Sequence, residues 1–176
     1  MKTSSITRSL ALSALAAGAL VAPAQPAIAE DVSFILPAGT GCEFRLGVSW
    51  TGGNLQTNEF LDEEGNPVRL LKSGKGTVIT YTNYGFKPGR HPVAIDSLTI
   101  RTDGSVTETV YNPDGTQTIT ATGHNGLIMF PSDDPAGPTT THYIGKIVYN
   151  VDPATGVFTL VSTSGQELDV CAELAS

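Results

Sequence analysis

The sequence predicts an all-β fold: a single antiparallel domain of about nine or ten strands, with a β-barrel preferred over a β-sandwich, preceded by a signal peptide. Three observations carry this reading. Apolar and polar residues alternate with period two from residue 42 onward. Turn sequences such as Asp103-Gly104 and Asn112-Pro113-Asp114-Gly115 recur at short spacing. After residue 29 no segment shows the 3.6-residue period of an amphipathic helix.

Residues 1–29 have the three parts of a secretory signal. Lys2 and Arg8 supply the positive start, 10–22 is an apolar run too short to span a bilayer, and Ala27-Ile28-Ala29 places small residues at the cleavage position. Pro23 and Pro26 end any helix before that point. Cleavage before Glu30 leaves 30–176 as a secreted, extracellular β domain, with no integral membrane segment in the mature chain. Losing Lys2 and Arg8 reduces ten basic residues to eight against seventeen acidic, a net charge of −9. So acidic a chain, without basic runs, is not a partner for nucleic acid. The acidic cluster Glu59, Asp62, Glu63 and Glu64 reads as a solvated turn.

Cys42, Phe44, Leu46, Val48 and Trp50 alternate with polar or small residues and predict the first strand, stopped by Gly52-Gly53. Phe60-Leu61, an acidic turn and 67–72 predict a hairpin, and Ser73-Gly74-Lys75-Gly76 turns into a strand over 77–83. Residues 84–92 carry two prolines and two glycines and read as irregular. A meander follows: 94–102 turns at Asp103-Gly104 into 105–111, which turns at Asn112-Pro113-Asp114-Gly115 into 116–122. His124-Asn125-Gly126 predicts a further turn and 131–138 a breaker-rich loop. The longest strand, 140–151, hairpins through Asp152-Pro153-Ala154-Thr155-Gly156 into 157–163, and Ser164-Gly165 separates a last segment ending at Cys171.

Cys42 and Cys171 are the chain's two cysteines, and outside the cytoplasm such a pair bridges. The bridge closes about 130 residues, which a chain-entropy account values at roughly 5 kcal/mol. Tying the first strand to the last makes the two ends of the sheet neighbours, and closure removes exposed edges. The barrel follows from that.

The Asn112-Pro113-Asp114-Gly115 turn, Thr120-Ala121-Thr122-Gly123, Leu127-Ile128-Met129-Phe130-Pro131, and the tail from Val151-Asp152-Pro153 to Asp169-Val170-Cys171 together resemble an uncharacterised family of small secreted actinobacterial proteins. The resemblance implies a fold and a location, and no activity.

Signatures of chemistry are absent or weak. No Gly-x-Ser-x-Gly elbow is present, and Ser73-Gly74-Lys75-Gly76 has no helix after it to cradle phosphate. Glu43, Asp96 and Glu108 lie on strands, where acids ordinarily face water rather than pair across a cleft. His91, His124 and His142 read as surface or turn histidines, and Ser132-Asp133-Asp134 lacks the further carboxylates of a calcium loop. No catalytic residue, metal or cofactor is therefore expected. Phe44, Trp50, Tyr81, Tyr143, Tyr149 and Phe158 are candidate ligand-lining side chains, although a small barrel fills its interior with such residues and core filling is the preferred reading. Three functions stay open: a non-catalytic structural or protein-interaction module, preferred; a carrier of a small apolar ligand; and an unrecognised hydrolase or isomerase. The corresponding partners are an extracellular protein or a small apolar molecule.

Overall fold

The structure is a computed structural model that describes residues 32–85 and 91–175; the predicted signal peptide lies outside them. Ten strands and one short helix follow in order: β1 (Val32–Leu36), β2 (Arg45–Thr51), β3 (Asn54–Leu61), β4 (Pro67–Lys75), β5 (Val78–Gly85), β6 (Val93–Arg101), β7 (Val106–Tyr111), β8 (Gln117–Met129), β9 (Thr139–Val151), β10 (Phe158–Asp169) and α1 (Val170–Leu174). No helix among the described residues is long and apolar enough to cross a membrane.

All ladders are antiparallel, as expected, but they form two sheets. One has the order β1-β2-β5-β6 and the other β10-β9-β8-β7-β4-β3. The preferred barrel is not found among the described residues. Its premise was that the cysteines lie on paired terminal strands. The disulfide does join Cys42 to Cys171, with Cα atoms 5.5 Å apart. Cys42, however, precedes β2 in one sheet, and Cys171 lies in α1 beyond β10 of the other. The sulfur link therefore ties two sheets together instead of closing one.

Local turn chemistry named the hairpins β3–β4, β7–β8 and β9–β10 correctly. Asp103-Gly104 is different, because β6 pairs with β5 and β7 with β4 and β8. The chain changes sheets there, as it does between β2 and β3 and between β4 and β5. The crossovers are locked to one another: Thr102 N donates to Thr77 O (2.9 Å), and Thr102 Oγ1 donates to the same carbonyl while accepting from Thr77 N, both at 2.9 Å. An Asp-Gly pair reverses the chain equally well within a sheet or between sheets, so its sequence does not choose the partner.

Three other predicted breaks fall in strands, and one of them, Ser73-Gly74-Lys75, is the end of β4, with no hairpin to β5 in the other sheet. His124-Asn125-Gly126 belongs to β8, and Ser164-Gly165 to β10. Gly123, Gly145 and Gly165 stand in one cross-strand row, paired Gly123↔Gly145 and Gly145↔Gly165, at φ +86°, +155° and +104°. A Cβ at Gly145 would lie 2.0 Å from Ser164 O, and one at Gly165 would lie 2.3 Å from Ile144 O. Glycine is thus required where three strands bend together.

How far they bend follows from one side chain. Phe158 pairs with Val151, which pairs with Gln117, at the opposite end of β8 from Phe130. In a flat sheet Phe130 and Phe158 would be about 40 Å apart at roughly 3.3 Å per residue. Yet the buried Asp133 carboxylate accepts from both backbone amides, from Phe130 N through Oδ2 (2.6 Å) and from Phe158 N through Oδ1 (2.9 Å). The β8–β10 layer therefore coils back on itself. Asp134 extends the clasp, donating to Phe158 O (2.9 Å) and accepting from Leu160 N (2.7 Å).

The coil encloses Ala121, Leu127, Met129, Tyr143 and Ile147. A second core, around Cys42, Leu46, Val48, Tyr81, Val170 and Leu174, lies where the first sheet meets α1. Neither β1 nor α1 was expected from the sequence. The helix is a single plug: Asp169 caps it by accepting from Ala172 N (3.0 Å), Val170 and Leu174 are buried, and Asn83 Nδ2 donates to Leu174 O (2.8 Å).

Two stability outcomes are expected. Replacing Cys42 and Cys171 together by serine lowers stability by about 2–5 kcal/mol, read as a drop in thermal midpoint that reductant reproduces in the parent protein. Asp133→Ala strands two part-buried amides and costs roughly 3 kcal/mol by denaturant titration, whereas Asp134→Ala, which keeps its backbone bonds, costs under about 1 kcal/mol.

Candidate functional site

The mouth of the coil and the inner face of the first sheet enclose a partly open cleft of about 290 Å³. Half of the chain's aromatic side chains line it: Phe34, Trp50 and Tyr81 from one sheet, and Phe130, Tyr149 and Phe158 from the other. Val48, Ile79, Leu127 and Ile128 complete the apolar walls. Trp50 meets Phe34 edge-on at 5.8 Å, and Tyr149 meets Phe158 at the same distance with rings tilted 47°. The clasp at Asp133 sets both Phe130 and Phe158 at the mouth, because it holds their backbones directly.

Of the six residues singled out from sequence, Trp50, Tyr81, Tyr149 and Phe158 line this cleft. Phe44 and Tyr143 do not. Phe44 packs against the core beside Cys42, and Tyr143 is buried inside the coil. Phe34 and Phe130 were missed, the first because β1 has no turn signal ahead of it, the second because it follows a strand and is carried inward by tertiary coiling.

A polar row that was not anticipated runs back from Tyr81 behind the cleft. Tyr81 Oη lies 3.4 Å from His142 Nδ1, and His142 Nε2 lies 3.3 Å from His124 Nδ1. His142 is 1% exposed. The reading of His124 and His142 as surface or turn residues is thereby corrected. They sit on adjacent strands, with Gly126 opposite His142 and Ile144 opposite His124, so the rings are diagonal neighbours. The signal was present in the β8–β9 register but was hidden by taking His124-Asn125-Gly126 for a turn. His91 is exposed, away from this pair.

Burial, and then the nearby His124, lower the His142 pKa to about 4, and burial raises that of Tyr81 to about 12. Both groups are therefore neutral near pH 7. With both groups neutral, His142 links Tyr81 and His124 through its two ring nitrogens, donating with one and accepting with the other according to its tautomer. Gly126 admits the phenol, since a Cβ there would stand 2.1 Å from Tyr81 Oη.

No nucleophile joins the row. Ser105 Oγ binds the backbone of His124, accepting from its N–H (3.1 Å) and lying 2.6 Å from its carbonyl oxygen. Among the described residues no three His, Cys, Asp or Glu side chains are grouped to hold a metal ion. Asp133 spends both oxygens on backbone amides, which accounts for it without calcium. Comparison with family models, curated proteins and solved structures yields no match.

A pH dependence follows. Because the folded pKa of His142 lies below the unfolded value of 6.5, the unfolded chain takes up this proton first as pH falls. Its contribution is fully present above pH 6.5 and is lost as pH falls through about 4. The thermal midpoint is expected to decline across that window, and His142→Gln to flatten the decline even if it lowers the midpoint overall. An unchanged slope would assign the effect to other groups.

Proposed function

We propose that this domain is an exported binding protein that takes a small, largely apolar molecule in the cleft between its two sheets. One observation carries the reading: half of the aromatic side chains converge on a single partly open space that they do not fill. Protein interiors are otherwise close-packed, and concave sites with apolar walls and few polar groups are where small ligands bind. The disulfide is compatible with an extracellular setting, where the signal-like residues 1–29 would deliver the chain.

A second reading, the extracellular interaction module, is favoured by β3. This strand forms one edge of the larger sheet, all eight of its residues are exposed, and Leu55, Phe60 and Leu61 are large apolar side chains among them. An open edge of this kind pairs readily with another strand. The hydrolase reading has the weakest support, since among the described residues no serine or cysteine hydrogen-bonds an imidazole nitrogen as an activated nucleophile would.

Trp50 is the chain's single tryptophan and lies in the cleft, so it reports occupancy directly. Titration with decanol is expected to shift its emission to the blue with saturation, and Phe158→Ala to weaken binding roughly tenfold. Emission unchanged by decanol, with no heat of binding in calorimetry, would remove the carrier reading and leave the interaction module.

A further inference from the structure

Ile79 and Gly126 line a second cavity as well as the cleft, so the two spaces share one wall. The second cavity, of about 240 Å³, lies at the crossover corner, between Thr77 and Thr102 of the first sheet and the β4, β7 and β8 strands of the other. Its polar lining includes several side chains able to donate. Lys72 and Thr107 face each other across the β4–β7 ladder, and His124 and Asn125 come from β8. No carboxylate lines it, in a chain with seventeen acidic residues against ten basic.

Several of those donors have nothing in the protein to bind. The Thr102 and Ser105 hydroxyls are used in the corner itself. Among the described residues the ion pairs are Arg69–Glu108 and Arg101–Asp103, and neither includes Lys72. Asn125 Nδ2 is buried and has no hydrogen-bond partner. The row from Tyr81 through His142 ends on His124, whose Nδ1 is taken and whose ring lines this cavity. A lysine, an unpaired amide N–H and a hydroxyl around one small space, with an imidazole beside them, together match a single group best: a carboxylate, which offers only acceptors and a negative charge.

We infer that the ligand is an amphipathic carboxylic acid, its apolar body in the aromatic cleft and its carboxylate in the Lys72–His124–Asn125 cavity. The inference rests on the cleft being an apolar site and adds the chemistry of the ligand's other end. In an acidic protein a carboxylate would be repelled from most of the surface, so a carboxylate-free pocket with a lysine gives it a place of local attraction.

The test compares decanoate with decanol on the intact chain at pH 7, using Trp50 emission and calorimetry. Decanoate should bind at least tenfold more tightly. Lys72→Met and Asn125→Asp should each bring decanoate to the level of decanol, or below it, while decanol binding is unchanged. In two-dimensional spectra the His124 imidazole signals should move with decanoate and not with decanol. Equal affinities, or decanoate binding untouched by either substitution, would overturn the carboxylate site and leave the apolar cleft standing. Failure of both ligands to bind would overturn the two together.

Discussion

Everything that makes a site in this molecule depends on the Asp133 carboxylate, which holds two backbone amides that a flat sheet would place about 40 Å apart. A buried carboxylate is costly unless its oxygens are satisfied, and here two amide donors satisfy them. The glycine row at 123, 145 and 165 makes the bend sterically possible, and Asp133 holds it closed. Without the coil, Phe130 and Phe158 would not approach Trp50 and Phe34, and no cleft would form.

The second constraint is covalent. The Cys42–Cys171 bridge and α1 join the two sheets at the end where Leu46, Tyr81, Val170 and Leu174 pack. Thr140, wholly buried on β9, adds a hydrogen bond to Gly41 O at 2.8 Å, so the segment before β2 is held by sulfur and by a side chain of the opposing sheet. At the other end the sheets are joined by crossovers locked through Thr77 and Thr102. A domain pinned at both ends keeps a cleft open between its sheets, and the second cavity adjoins it at the crossover end.

The polar row through Tyr81, His142 and His124 runs beside the two adjoining spaces, with Tyr81 lining the cleft and His124 the cavity. Burial holds Tyr81 and His142 neutral near pH 7, so neither carries a charge to the apolar side. The members of the row come from β5, β9 and β8, so it exists only because the sheets face each other at this register.

Much of the architecture was legible in the residues themselves. The all-β class, the number of strands, three hairpins and the cysteine pairing follow from local rules, because side-chain period, glycine and proline act over a few residues. Trp50, Tyr81, Tyr149 and Phe158 were also recognisable as inward-facing. What tertiary structure alone decided was which strands pair across long separations and where the chain bends: Asp103-Gly104 became a change of sheet, and Gly123, Gly145 and Gly165 a fold line inside strands. Those choices depend on contacts between residues far apart in the chain, such as Asp133 with Phe158 or His124 with His142. Turn preference is a property of four residues, whereas closure of a sheet is a property of the whole.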